Sequence, residues 1–238
     1  MTATFTALLL AHLVADFLAQ TNAMVEHKTK PPVFALHIAI VFALSLLALG
    51  GTWDAALTVA AAHLVIDATK TWGLTERARN TLAAFALDQM THLASIVAVV
   101  WLWPDAVNTS LWSPYIDLLL APAGLVCGFI IAVFVGGHVV GLLMAVYTAQ
   151  IDAAKGLANA GRMIGQLERA LIFLFVMMNE TAAVGFLIAA KSVLRFDTAA
   201  QGQKEGEYVI IGTLASYGWA IAVGFATAAL LEFVRTNP

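Results

Sequence analysis

Long apolar segments dominate this chain, and they restrict it to folds that cross a lipid bilayer. Hydrophobic residues make up 61% of the 238 positions and charged residues 11%, and the mean hydropathy is +0.86. A soluble domain is nearer half apolar and a quarter charged. A helix that spans a bilayer needs about 17–25 apolar residues. We therefore expect an all-α, polytopic transmembrane helical bundle of about seven spans: 3–22, 33–50, 54–71, 80–103, 121–147, 164–190 and 208–234.

The predicted spans fall into two halves. Residues 1–103 hold four spans, 104–120 form a link along the membrane interface, and 121–238 hold three spans. For 164–190 we favour one continuous helix over a re-entrant hairpin broken near Asn179 and Glu180. The polar segment 150–162 is predicted to be a loop or surface helix. The very hydrophilic segment 195–207 is predicted to be a flexible linker.

Lysine and arginine positions predict the orientation in the membrane. Cytoplasmic links carry an excess of these residues, which places the N-terminus outside and the C-terminus in the cytoplasm. The link between the last two predicted spans opposes this assignment, because it contains Lys191, Arg195 and Lys204. The first span lacks the basic start of a signal peptide, so we expect it to be retained. The supporting residues are Lys28, Lys30, Lys70, Arg77, Arg79, Lys155, Arg162 and Arg235.

Three of the predicted spans each contain a histidine and an aspartate four residues apart. This spacing puts both side chains on one face of a helix. Ionisable groups at membrane depth are costly, so they mark a functional site by default. A single pair is more typical of a buried hydrogen bond that ties helices together, whereas three pairs indicate a shared polar centre. The pairs are His12/Asp16, His63/Asp67 and Asp88/His92.

The three pairs are predicted to lie at one depth. At a rise of about 1.5 Å per residue, all six side chains fall about 6–16 Å from the cytoplasmic helix ends. His37, His138 and Glu168 fall in the same layer. His138 follows Gly136 and Gly137, which favours close helix packing and permits a homo-oligomer. The predicted metal ligands are His12, Asp16, His37, His63, Asp67, Asp88 and His92, and the predicted catalytic carboxylates are Asp88 and Glu168.

Imidazole and carboxylate groups without sulfur suit a divalent metal. Zn(II) is the commonest ion at such ligands, and Fe(II) or Mn(II) remain alternatives. A bound metal would lower the pKa of its water ligand to about 7 and so supply a hydroxide nucleophile. The lone Cys127 offers neither a disulfide nor a thiolate site. The net charge of -3, without a basic block, excludes a nucleic-acid surface.

Three motifs make the chain similar to a known family over about residues 5–100. HLVADFLAQTNAMVEHK, HLVIDATK and LDQMTH resemble an uncharacterised bacterial membrane family, the domain of unknown function 3307. The resemblance implies a bacterial inner-membrane location. The His-x-x-x-Asp pattern is also similar, more loosely, to that of membrane-bound metal-dependent hydrolases. The matching positions are His12, Asp16, Phe17, Gln20, Lys28, His63, Asp67, Lys70, Asp88, Gln89 and His92.

Three functions are compatible with this pattern. The first is a membrane-embedded metal-dependent hydrolase for an amphiphilic or lipid-linked substrate, because a soluble substrate would not require chemistry at that depth. The second is a cation- or proton-coupled transporter or channel that uses the same cluster. The third is a non-catalytic membrane subunit that a metal stabilises. We favour the hydrolase, since the outer halves of the first four spans are almost wholly apolar.

Overall fold

A computed structural model describes residues 1–148, 160–199 and 203–236, and all regular structure in these ranges is helical. The all-α prediction is therefore confirmed. Most of the predicted loop 150–162 lies outside the described residues. The α-helices are α1 (Thr2–Val14), α2 (Asn22–Glu26), α3 (Pro31–Ala48), α4 (Trp53–Gly73), α5 (Glu76–Arg79), α6 (Leu82–Leu102), α7 (Ile116–Ile130), α8 (Gly136–Thr148), α9 (Ala160–Met177), α10 (Thr181–Ala199) and α11 (Gln203–Thr236).

Two π-helical turns extend this set. Ala15–Ala19 continues α1, and Ile131–Val135 joins α7 to α8. Five helical segments are long and apolar enough to cross a membrane, so the chain is a multi-pass membrane protein. Helix α4 is as long as α6, at 21 residues, but contains Asp54, Asp67 and Lys70. The count of seven spans stays a prediction. The five segments are Thr2–Ala19, Pro31–Ala48, Leu82–Leu102, Ser113–Thr148 and Gly206–Thr236.

The chain divides into two compact units, Met1–Cys127 and Gly128–Pro238. The sequence-based boundaries lay at 103 and 121 instead. Residues after α6 return to the first unit, where Thr4 Oγ1 donates to the Pro104 carbonyl at 2.9 Å. Trp112 Nε1 donates to the Leu47 carbonyl at 2.7 Å. These contacts attach Pro104 and Trp112, from the predicted interfacial link 104–120, to the first unit. Helix α7 begins at Ile116, inside that predicted link.

The first unit is a four-helix bundle in which α1, α3, α4 and α6 pack in a ring. Neighbours in sequence also pack against each other, and α1 contacts α6 to complete the ring. Short links make these neighbours antiparallel. The apolar core occupies one end of the bundle, which brings together the start of α1, the end of α3, the start of α4 and the end of α6. Its buried members include Leu8, Val41, Leu49, Ala55, Val59, Ile96 and Val99.

Local sequence signals set the ends of these helices. Thr21, Thr75 and Thr81 accept hydrogen bonds from backbone amides three residues later, which caps α2, α5 and α6. Pro31 begins α3 at a position where its missing N–H costs nothing. Gly50 follows α3 with a φ of +61°, a left-handed conformation that glycine adopts freely.

The prediction of one continuous helix over 164–190 is wrong. Helix α9 ends at Met177 and α10 begins at Thr181. Asn179 has a φ of 59°, which ends the helix because the left-handed conformation does not continue it. The predicted alternative break near Asn179 and Glu180 is thus the observed one. The predicted linker 195–207 is helical in α10 up to Ala199 and in α11 from Gln203 onward.

In the second unit a buried arginine holds a π-helical turn in place. The Arg169 side chain is 3% exposed, and its Nε and Nη2 both donate to the Val133 carbonyl, at 3.1 and 3.0 Å. Its Nη1 donates to Ser216 Oγ at 3.0 Å. A side chain at Gly136 would collide with Trp219, and one at Gly137 with Arg169. Both glycines therefore serve packing within this unit.

Replacement of Arg169 tests this arrangement. We expect Arg169→Met to destabilise the protein by about 3 kcal/mol, because it leaves a buried carbonyl without its donors. Arg162→Met is the matched control, since Arg162 is exposed on the same helix. Thermal unfolding in detergent compares the two variants. Equal melting temperatures would contradict the assigned role of Arg169.

Candidate metal centre

All seven predicted metal ligands of the first unit meet in one cluster. They come from the end of α1 and its π-helical turn, the start of α3, the end of α4 and the start of α6. This is the end of the bundle opposite the apolar core. Six of the seven residues are buried, and the Asp16 side chain is 11% exposed. The cluster consists of His12, Asp16, His37, His63, Asp67, Asp88 and His92.

His37, His63 and Asp67 present three ligand atoms in a tight triangle. Nε2 of His37 lies 3.1 Å from Nε2 of His63. Oδ2 of Asp67 lies 3.2 Å from the first of these nitrogens and 3.4 Å from the second. Ligands bound tetrahedrally at about 2.0–2.1 Å are separated by about 3.3 Å. The three atoms therefore have the separations of one face of a tetrahedral metal site, which leaves a fourth position for another ligand.

Asp16 borders the same histidine pair. Its Oδ1 lies 3.5 Å from Nε2 of both His37 and His63. The π-helical turn Ala15–Ala19 contains Asp16, and π-bulges in helices occur frequently at functional sites. His12, one turn earlier, lies with its Nε2 3.9 Å from Asp16 Oδ2. The predicted shared face of this pair is confirmed, whereas the π-helical turn was not predicted.

Asp88 and His92 form the adjoining part of the cluster with Asp67. The three residues offer ligand atoms within 4.8 Å of one another. His92 Nδ1 lies 2.9 Å from the Asp88 backbone carbonyl, and because a carbonyl only accepts, this nitrogen carries the proton. Nε2 of the neutral ring is then the lone-pair atom. It is buried, and no described residue gives it a hydrogen bond. A lone pair left in this way is the form that binds a metal.

Gln89 connects His12 to Asp88. Its Nε2 donates to Asp88 Oδ2 at 3.2 Å, so its Oε1 faces His12 Nε2, also at 3.2 Å. The oxygen only accepts, which assigns the proton of His12 to Nε2 and leaves Nδ1 as the lone-pair atom, buried without a hydrogen bond from the described residues. The amide thereby orients one predicted ligand and supports another, as outer groups do around bound metals.

Two lysines pair with carboxylates of the cluster. Lys28 Nζ lies 2.7 Å from Asp67 Oδ2, and Lys70 Nζ lies 2.8 Å from Asp88 Oδ2. The lysine side chains are 19% and 27% exposed, so both are partly accessible at the polar end of the bundle. Sequence reasoning used Lys28 and Lys70 for the membrane orientation and the family motif, and predicted no partner for either. The spacing of charges along a helix does not reveal partners on other helices.

A small cavity adjoins the three imidazoles of His12, His63 and His92. Its volume is about 10 Å³, which is close to the space that one water molecule requires. Val41 and Ile96 close it toward the apolar end of the bundle. The cluster thus has room for one small ligand beside its imidazoles.

The other polar candidates lie elsewhere. Glu168 is in the second unit, where its carboxylate pairs with Lys191, so its predicted catalytic role stays a prediction. His138 is also in the second unit, on α8. His27 is outside the cluster, and its Nδ1 contacts the Ala23 carbonyl of its own helix at 3.0 Å.

One known protein family matches the part of the chain that contains the cluster. Residues 4–120 match a family described as "Protein of unknown function (DUF3307)". The resemblance that the motifs gave is confirmed, and the matched range includes the whole cluster and both lysines. No curated protein and no solved structure matches the chain. Because the family description states no activity, the likeness to metal-dependent hydrolases stays a prediction.

Removal of the Lys28 ammonium tests its role as counter-ion to Asp67. In chelator, we expect Lys28→Met to lower the stability by about 2–3 kcal/mol, because it leaves a buried carboxylate uncompensated. Lys30→Met is the matched control, since Lys30 is exposed and two residues away. Added zinc should restore the melting temperature of Lys28→Met, because a cation replaces the lost charge.

A loss of stability that zinc does not restore would contradict this account. So would equal melting temperatures of the two variants in chelator.

Proposed function

We propose that the DUF3307 domain of this chain is a membrane-embedded, metal-dependent hydrolase. The observation that carries the proposal is the triangle of His37, His63 and Asp67, whose separations of 3.1–3.4 Å match those between ligands on one metal ion. Three protein ligands with a further position open are typical of catalytic zinc, whereas structural zinc is closed by four.

The ligand types favour zinc. Nitrogen and oxygen donors without sulfur suit Zn(II), with Fe(II) and Mn(II) as alternatives. The buried acceptor atoms of Asp16, Asp88 and His92 support a cation, since no described residue hydrogen-bonds to Asp16 Oδ1, Asp88 Oδ1 or His92 Nε2. Acceptors that cluster without donors are costly unless a positive charge is present.

In the proposed hydrolysis, some residues of the cluster would bind the metal and others would transfer a proton. A metal at the triangle would supply a water ligand with a pKa of about 7. The carboxylates of Asp16 and Asp88 lie at the same cluster, and either would accept the proton of that water. The water oxygen would then bond to the electrophilic atom of the substrate while the bond to the leaving group breaks. The carboxylate that accepted the proton would return it to the leaving group.

The position of the cluster supports an amphiphilic or lipid-linked substrate. Every lysine and arginine of residues 1–127 lies between 28 and 79, in or beside the two links at the polar end of the bundle. The positive-inside rule assigns this end to the cytoplasmic side, and we infer the bacterial inner membrane from the family motifs. A substrate headgroup at the inner leaflet would reach the centre past Lys28 and Lys70.

The apolar end of the bundle argues against conduction, the second function that the sequence permits. A transported ion would need a polar path beyond the cluster, whereas Leu8, Val41, Val59 and Ile96 are buried there together. A non-catalytic, metal-stabilised subunit, the third function, would require a closed site of four ligands. The triangle of His37, His63 and Asp67 supplies three ligand atoms, which favours an open site.

Metal content and hydrolysis test the proposal together. We expect the purified protein to contain at least about one zinc ion per chain, and His63→Ala to lose most of it. The assay offers amphiphilic esters, lipid-linked phosphates and hydrophobic peptides in micelles. We expect turnover of one class, reduced more than about 100-fold by His63→Ala.

His27→Ala is the matched control, because it removes an imidazole outside the cluster. It should retain both metal and turnover. Less than roughly a tenth of an ion per chain in the wild type would exclude a metal centre. Cation flux in proteoliposomes that disappears in Asp67→Asn would favour the transporter instead.

A further inference from the structure

The cluster contains more ligands than one ion uses. A zinc ion takes about four ligands in proteins, whereas seven imidazoles and carboxylates meet here. His37, His63 and Asp67 account for one position. The remaining groups are not scattered around that position. Asp88 and His92 lie together on one turn of α6, beside Asp67.

We propose that Asp67, Asp88 and His92 form a second divalent-cation position, so that the centre holds two ions bridged by Asp67. This inference rests on the proposed metal centre and specifies its nuclearity. Asp67 belongs to both ligand groups, with His37 and His63 on one side and with Asp88 and His92 on the other. A carboxylate has two oxygens and can therefore bind two ions, which lie about 3.5–4 Å apart in two-metal enzymes.

The protonation of His92 supports the second position. Its Nδ1 donates to a backbone carbonyl, which leaves Nε2 as a buried lone pair with no hydrogen bond from the described residues. Asp88 shows the same pattern, because Lys70 and Gln89 contact its Oδ2 while Oδ1 has no such partner. Two acceptors on one helical turn are thus left for a cation.

The lysines mark the same two positions. Lys28 contacts Asp67 and Lys70 contacts Asp88, so each ligand group has one ammonium on its carboxylate. Lys28 lies on the link before α3 and Lys70 on α4, and they approach different carboxylates. If only the position at His37, His63 and Asp67 existed, we would expect a lysine beside Asp67 but none beside Asp88. The ammonium at Asp88 indicates that negative charge also concentrates at the second group.

Two ions change the expected chemistry of the site. Two bound ions would together lower the pKa of a water ligand and so supply a hydroxide at neutral pH. Asp88 would then be a ligand, which leaves Asp16 as the carboxylate that accepts a proton. The His63 and His92 rings, whose centroids are 4.2 Å apart, would each contact one of the neighbouring ions.

Metal titration of the full-length protein in detergent tests this inference. We expect chelator-treated wild type to bind about two Mn(II) or Zn(II) ions per chain. His92→Gln should bind about one, because it removes a ligand of the second position only. His27→Gln, outside the cluster, should still bind about two.

Electron paramagnetic resonance of the Mn(II)-loaded protein uses the wild type alone, so its result does not depend on whether a variant folds. Two ions that share a carboxylate are exchange-coupled, so we expect a coupled spectrum that disappears at one ion per chain. Saturation at one ion, with an uncoupled spectrum and intact turnover, would overturn the second position and leave the hydrolase standing. No bound metal would overturn both.

Discussion

The burial of three carboxylates in one end of an apolar bundle is the constraint on which the first unit depends. Asp67 and Asp88 are buried and the Asp16 side chain is nearly so. An ionised carboxylate withdrawn from water costs several kcal/mol unless nearby charges and donors compensate for it. Two ammonium groups and one amide do this only in part. The proposed metal centre gives the four histidines a physical reason to be there, since neutral imidazoles would hold a cation that completes the compensation.

In the first unit, the apolar core that stabilises the bundle lies at one end of the helices, and the histidine and aspartate cluster lies at the other end. One end of the bundle is filled by small and branched apolar residues, among them Leu49, Ala55 and Ala56, which are at most 1% exposed. That packing fixes the relative rotation of the four helices. Because the helices are rigid between their ends, the same rotation sets the directions of the histidine and aspartate side chains at the other end. The cluster is held by its scaffold, and a metal need not assemble it.

Much of this centre could be predicted from the sequence, because the spacing of four residues is a property of the helix itself. His12 with Asp16, His63 with Asp67, and Asp88 with His92 share faces as expected. The common depth followed from helix length and link positions. His37, which has no partner at this spacing, was placed by depth alone, and it lies 3.1 Å from His63.

The features that sequence reasoning missed depend on contacts between elements. Lys28 lies on a polar link, and nothing in its neighbours indicates the ion pair with Asp67. The π-helical turn around Asp16 inserts a residue without a proline or glycine to signal it. The break at Asn179 lies inside an apolar segment whose composition favours a continuous helix. Hydropathy indicates how long an apolar segment is, but it does not reveal a single residue in the left-handed conformation that divides the segment into two helices.

We infer that a metal ion binds between α3, which carries His37, and α4, which carries His63 and Asp67. Anomalous diffraction from crystals of the zinc-loaded protein, recorded on both sides of the zinc absorption edge, measures this directly. The account predicts a peak within about 2.0–2.2 Å of Nε2 of His37 and His63 and of an Asp67 oxygen. A map without a peak at these atoms, or with zinc bound solely at surface groups, would contradict it.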